Sequence, residues 1–175
     1  MTNYKNAYAD RRYEALEQPM RSVMSRMGKA MWHFAQLKEI TWYQWGYAGI
    51  TGAIHHLEHV YGGYIDSFKA LLAQMGLPLA YPAIPEMEES FGSLTAIFYH
   101  CIGLIDEVND ALSAFVEAAD REALEPLARQ AENIQMENFA PRAWLTQALT
   151  MSEQGGSASS LDSWLKDTLD APQKA

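Results

Sequence analysis

The chain has 175 residues, nearly half of them apolar, with a formal charge of −9 and a sequence pI near 4.9. That length suits one domain with a substantial core, and the composition excludes a disordered chain. The acidic balance argues against unaided binding to a phosphate backbone, which needs clustered Lys and Arg; only the start, YKNAYADRR, is locally basic.

Cys101 is the single cysteine, which rules out an intramolecular disulfide and any cysteine-based zinc spacing, and a reducing cytoplasm is the expected compartment. The first residues lack the apolar core of a signal peptide, and the longest apolar run, AIFYHCIGLI, is too short to span a bilayer, so no membrane contact is expected. Strand signals are nearly absent, and apolar residues recur at three and four rather than at two. The expected fold class is all-α.

A first helix is expected from near Pro19, with Leu16, Met20, Val23, Met24, Met27, Met31 and Phe34 on one stripe and Gly46 and Gly49 at its end. Its methionines read as core packing rather than soft-metal handling. A second helix over 51–75 carries Leu57, Tyr61, Tyr64, Phe68 and Leu71, with Gly76 and Pro78 as its stop. The proline-stiffened LPLAYPAIPE can then span the length of a bundle.

A third helix over 85–119 places Phe91, Phe98, Cys101, Ile105, Val108 and Leu112 on one side, and a fourth starts near Asp120 with Pro141 as a kink or break. SEQGGSASS reads as a flexible linker and LDSWLKDTL as a short docking helix capped by Ser160. The domain division is a four-helix bundle over 1–151, then the linker and docking helix over 152–175. Two helix hairpins joined by a long middle connection predict a ferritin-like four-helix bundle with a crossover, the alternative being an up-and-down bundle.

A di-iron site inside such a bundle needs Glu and His projecting inward from its helices. On the third helix Asp106, Glu107, Asp110 and Glu117 fall outside the apolar stripe and read as a solvated face; on the fourth, Gln135 and Asn138 are the polar residues near the core line. His33 and His100 read as isolated flank or cap residues, and Trp42, Tyr43 and Trp45 crowd the end of the first helix.

The stretch AIHHLEHVYGGYID, 53–66, holds three of the five histidines. At about 100° per residue, His55, His59, Gly62 and Asp66 fall within about 60° of one another and opposite the Leu57, Tyr61, Phe68 stripe. Gly63 and Ala70 line the same outer face, so a helix from a second copy can approach, and self-association through the second helix is expected. His55 and His59 then either chelate a divalent transition metal, with Asp66 as a candidate third ligand at a subunit seam, or hydrogen-bond across an interface or to water. His56 points a quarter-turn away, and Glu58, bordering the core, is expected to bond Tyr61 or another tyrosine.

Trp45, Gly49 and His56 in WGYAGITGAIHH resemble the Trp, Gly, His motif of the Dps mini-ferritins, DNA-binding proteins from starved cells in the ferritin-like superfamily. IDSFKALLAQMGLP is similar to that family's second-helix terminus, and ENFAPRAWLTQAL to its closing pattern. The resemblance implies a homo-oligomer that oxidises iron between subunits on the outer faces of these helices, with His56 and Asp66 as metal ligands. Two family ligand positions are replaced, by Gln44 and Ala70. The functions in competition are iron or other divalent-metal handling at a subunit interface, a metal-free helical interaction protein, and a DinB-like metal-dependent bundle suggested by HHLEHVYGGY. No nucleic-acid partner is expected.

Overall fold

A computed structural model describes residues 4–74, 87 and 90–170. Its helices are α1 (Tyr4–Glu39), α2 (Ala48–Gln74), α3 (Leu94–Arg121), α4 (Glu125–Glu137), α5 (Phe139–Glu153) and α6 (Ala158–Asp170), with a π-helical turn, Ile40–Gln44, after α1. No strand occurs among the described residues.

Pro19 lies inside α1 and does not begin it. A proline within a helix costs ~3 kcal/mol. Leu16, Met20 and Val23 are buried on either side of it, and full burial of each such side chain contributes roughly 1.5–3 kcal/mol, so packing outweighs the lost hydrogen bond. At the other end the helix widens into the π turn, where the buried Thr41 hydroxyl meets the Thr51 hydroxyl at 2.9 Å across the corner. Gly46 turns the chain with φ +70°, while Gly49, expected as a stop, is already within α2.

Further boundaries differ from the sequence expectation. Helix α3 starts at Leu94, where the Ser93 hydroxyl accepts a hydrogen bond from the Ala96 amide at 3.2 Å, and Pro85 lies outside the described residues. The fourth bundle helix starts at Glu125, since Asp120 still belongs to α3, and the break expected at Pro141 falls at Asn138, which makes it two helices. Pro141 has no N–H to offer the Glu137 carbonyl, and its ring crowds that carbonyl, so the break falls one turn before the proline. Helix α6 is capped by Ser157, whose hydroxyl accepts from the Ser160 amide at 3.1 Å.

Contacts between helices fix the topology. Phe34 packs edge-on to Tyr61 and Lys38 pairs with Glu58, so α1 and α2 are antiparallel. Lys29 pairs with Glu107 and His33 with His100, so α1 and α3 are antiparallel as well. Helices α2 and α3 therefore run parallel, and the 75–93 connection joins opposite ends of the bundle, which excludes the up-and-down alternative. Gln135 and Asn138 reach Asn109, and Arg142 reaches Asp106, which sets α4 and α5 antiparallel to α3.

The core is one cluster that includes Phe34, Tyr61, Phe68, Phe98 and Phe115 and continues to Leu161 and Leu165 of α6. Helix α6 docks on the start of α2, where the Asp162 carboxylate accepts from the Ile50 amide at 2.9 Å. A Cβ on Gly49 would overlap the Asp162 carbonyl oxygen, so only glycine permits this approach. Gly49→Ala is therefore expected to loosen α6, at a cost of about 1–3 kcal/mol. Hydrogen exchange should rise across 158–170 while the helices of the bundle stay protected; unchanged exchange in α6 would contradict this account of its docking.

Candidate metal centre

Helix α2 presents His55 and His59 one turn apart on its exposed side, with their Nε2 atoms 3.2 Å apart. The Nδ1 of His55 lies 3.0 Å from Glu58 Oε2, and the same oxygen accepts from Lys38 Nζ at 2.8 Å. These contacts fit one proton assignment: His55 donates from Nδ1 to Glu58 and turns its Nε2 lone pair toward His59. A carboxylate behind an imidazole in this way fixes its tautomer and ring orientation. Two imidazole nitrogens on one tetrahedral metal, each at about 2.05 Å, stand about 3.3 Å apart, so the observed spacing already suits a shared cation.

Glu58 does not bond a tyrosine as expected, because it faces Lys38 across the α1–α2 seam. Burial would raise its carboxyl, yet hydrogen bonds and charge from Lys38 and His55 outweigh this and hold it below the ordinary carboxylate range.

The remaining candidate ligands lie apart from this pair. His56 is exposed on another side of α2 and lines a groove with Val60, Tyr64 and Trp144. Asp66 is exposed and lies 3.4 Å from Lys69; seven residues beyond His59, it is displaced by about 10 Å along the helix. Gln44 is exposed in the π turn, and Ala70 is exposed on α2. Among the described residues no group of three or more His, Cys, Asp or Glu side chains is arranged to hold a metal ion. The pair offers two ligands, and a third has to come from water or another chain.

The bundle interior does not fit a carboxylate-bridged metal pair. The buried polar residues described there are His33, Thr41 and Asn138, with no carboxylate among them. Tyr61 donates to Asn138 Oδ1 at 3.2 Å, and Asn138 Nδ2 donates to Asn109 Oδ1 at 2.8 Å, a neutral chain that links α2, the α4–α5 break and α3. Burial, then the neighbouring Tyr64, pushes the Tyr61 hydroxyl well above its ordinary pKa. Burial likewise raises the Cys101 thiol far from its reactive range.

Several acids that looked solvated stand at helix seams. Glu107 pairs with Arg26 at 2.7 Å and Lys29 at 2.9 Å, and Asp106 pairs with Arg142 at 2.7 Å. His33 and His100 are not isolated: His33 Nδ1 and His100 Nε2 are 2.9 Å apart across α1 and α3, with stacked rings. Each residue lies alone on its own helix, so only knowledge of which helices pack together could have joined them.

Neither a family model nor a curated protein matches the sequence. Among solved structures the chain is similar to the open-pore ferritin of the hyperthermophilic archaeon Archaeoglobus fulgidus, with a TM-score of 0.76 and 14% identity over 87% of this chain and 94% of that one. The fold is thus a ferritin-like helical bundle. No helix among the described residues is long and apolar enough to cross a membrane.

The lowered Glu58 carboxyl gives a signed expectation. Its folded-state pKa lies below the unfolded value, so its contribution to stability is present above about pH 4.3 and is lost as pH falls through the folded value. Lys38→Met removes the main partner and should destabilise the fold at pH 7 by about 0.5–1 kcal/mol, the range of a partly exposed pair. In thermal melts the difference from wild type should shrink as the pH falls below about 4.3. A difference that is constant from pH 7 to pH 3 would mean that the pair does not lower the carboxyl.

Proposed function

We propose that this ferritin-like protein handles iron or another divalent transition metal on the outer face of α2, where His55 and His59 supply two imidazole ligands and Glu58 orients the first. The observation that carries the reading is the 3.2 Å approach of the two Nε2 atoms with Glu58 at the far nitrogen of His55. Imidazole suits iron, zinc and related ions. Where ferrous iron is the cargo, the chemistry this reading assigns is its one-electron oxidation to ferric iron, with dioxygen as the electron acceptor.

A second copy of the chain is the natural source of a further ligand. Gly63, Ala70 and Ala73 are exposed around the histidines, and no atom lies within 4 Å of a Cβ placed at Gly63, so a neighbouring helix meets no bulk there. Asp66 on the same face is then available to a metal bound by the neighbour rather than to its own chain's pair. The second reading, a metal-free interaction bundle on this scaffold, draws on the absence of carboxylates from the described buried interior.

Protein purified without a histidine tag and loaded with Zn²⁺ or Fe²⁺ should retain stoichiometric metal after desalting. His55→Ala combined with His59→Ala should abolish it while far-ultraviolet circular dichroism stays unchanged, and Glu58→Gln should weaken it by roughly tenfold or more. His56→Ala should leave it intact. Retained metal in the double variant sinks the assignment, and a wild type that holds none favours the interaction protein.

A further inference from the structure

A second candidate site lies on the adjoining side of α2, a quarter-turn from His55, and needs no metal. Where α4 breaks into α5, the outer faces of α2 and α5 diverge, and the C-terminal half of α6 closes the gap, leaving a groove of about 890 Å³. That volume lies within the range of small-molecule sites, about 300–1,000 Å³. Ala48, Gly52, His56, Val60 and Tyr64 form its floor at a spacing of four residues along α2.

The walls divide by chemistry. Val60, Pro141, Trp144 and Leu169 supply an apolar lining to which Met136 adds its exposed side chain. Lys166 and His56 also line the groove, and among the described residues neither makes a hydrogen bond or ion pair within the chain. Glu137, the one acid of the lining, faces the largely buried Tyr64 hydroxyl, which burial and then that carboxylate push above the ordinary range. The acid already has a partner inside the protein; the cation does not.

We propose that this groove binds an amphipathic monocarboxylate, with its acid group on Lys166 and His56 and its hydrocarbon body against Val60, Pro141 and Trp144. Lys166 and His56 are exposed, so positive charge stands at the mouth of a cleft with apolar walls, which favours a ligand that brings a single negative charge and otherwise buries carbon. Glu137 near the Tyr64 end disfavours a second carboxylate at the opposite end.

Decanoate and decyltrimethylammonium, chains of equal length and opposite charge, serve as probes in calorimetric titrations below their micellar concentrations. Wild type should bind decanoate saturably and the cation more weakly. Lys166→Gln should weaken decanoate by about threefold to fivefold, the range of an exposed ion pair, and should strengthen the cation's binding, because the like charge it met is gone. Gly52→Leu should abolish decanoate binding: its Cβ meets nothing in the chain, its side chain fills the groove, and replacing an exposed helix glycine should raise the melting temperature, so lost binding cannot be assigned to misfolding. No saturable decanoate binding by wild type, or equal binding by Gly52→Leu, overturns the proposal. So does a Gly52→Leu chain that loses a wild-type oligomer in light scattering while decanoate is ignored, which would assign the groove to a neighbouring copy.

Discussion

The interruption of the fourth bundle helix at Asn138 governs most of what surrounds it. Pro141 withholds a hydrogen bond from Glu137, and the break leaves Asn138 fully buried between helices rather than at the surface. A buried amide without partners costs on the order of 1–3 kcal/mol, so its position is fixed by what can satisfy it: the Tyr61 hydroxyl from α2 and the Asn109 amide from α3. Three elements are thereby held at one level of the bundle. The same interruption turns Met136 and Phe139 outward and opens the groove beside Trp144.

With neutral amides at its centre, the bundle carries its charge at the seams. Glu58 with Lys38, Glu107 with Arg26 and Lys29, and Asp106 with Arg142 each cross from one helix to another, and each is partly exposed. Such pairs contribute little individually, about 0–1 kcal/mol, but each is lost when its two helices slide out of this register. A fold that elsewhere can enclose metal between inward carboxylates is here closed by aromatic side chains and amides. Any cation bound through histidine has to be sought at a seam or on an outer face.

Much of this was legible in the sequence because burial repeats with the helical period. The stripes of α1 to α4, the outward direction of His55 and His59, and the need for a long connection after α2 all follow from positions along single helices. What was not legible depends on a second helix. Glu58 was assigned to a tyrosine because its own helix says nothing of Lys38 on α1, and His33 and His100 looked isolated for the same reason. Asp106 and Glu107 border the buried stripe of α3, and only the neighbours Arg142, Arg26 and Lys29 distinguish a seam from a solvated face. Helix ends are displaced for a different cause: proline at 19 favours a helix start, but apolar burial on both sides carries the helix through it.

Helix α2 concentrates these demands in its glycines, each of which answers to a different surface. Gly49 admits the backbone of α6, and Gly62 faces Met31 of α1, where a Cβ would make only ordinary contact at 3.8 Å from the sulfur. Gly52 and Gly63 are exposed and face nothing within the chain. A glycine within a helix costs ~1 kcal/mol against alanine, so those two together weaken α2 by about 2 kcal/mol with no compensation from this chain's own packing. Helix α2 tolerates that loss because Ile50, Ile54, Leu57, Tyr61 and Phe68 are fully buried on its other side, each contributing roughly 1.5–3 kcal/mol. The inner face thus holds the helix firmly enough for the outer one to carry glycine, with Gly52 lining the groove and Gly63 near the histidine pair.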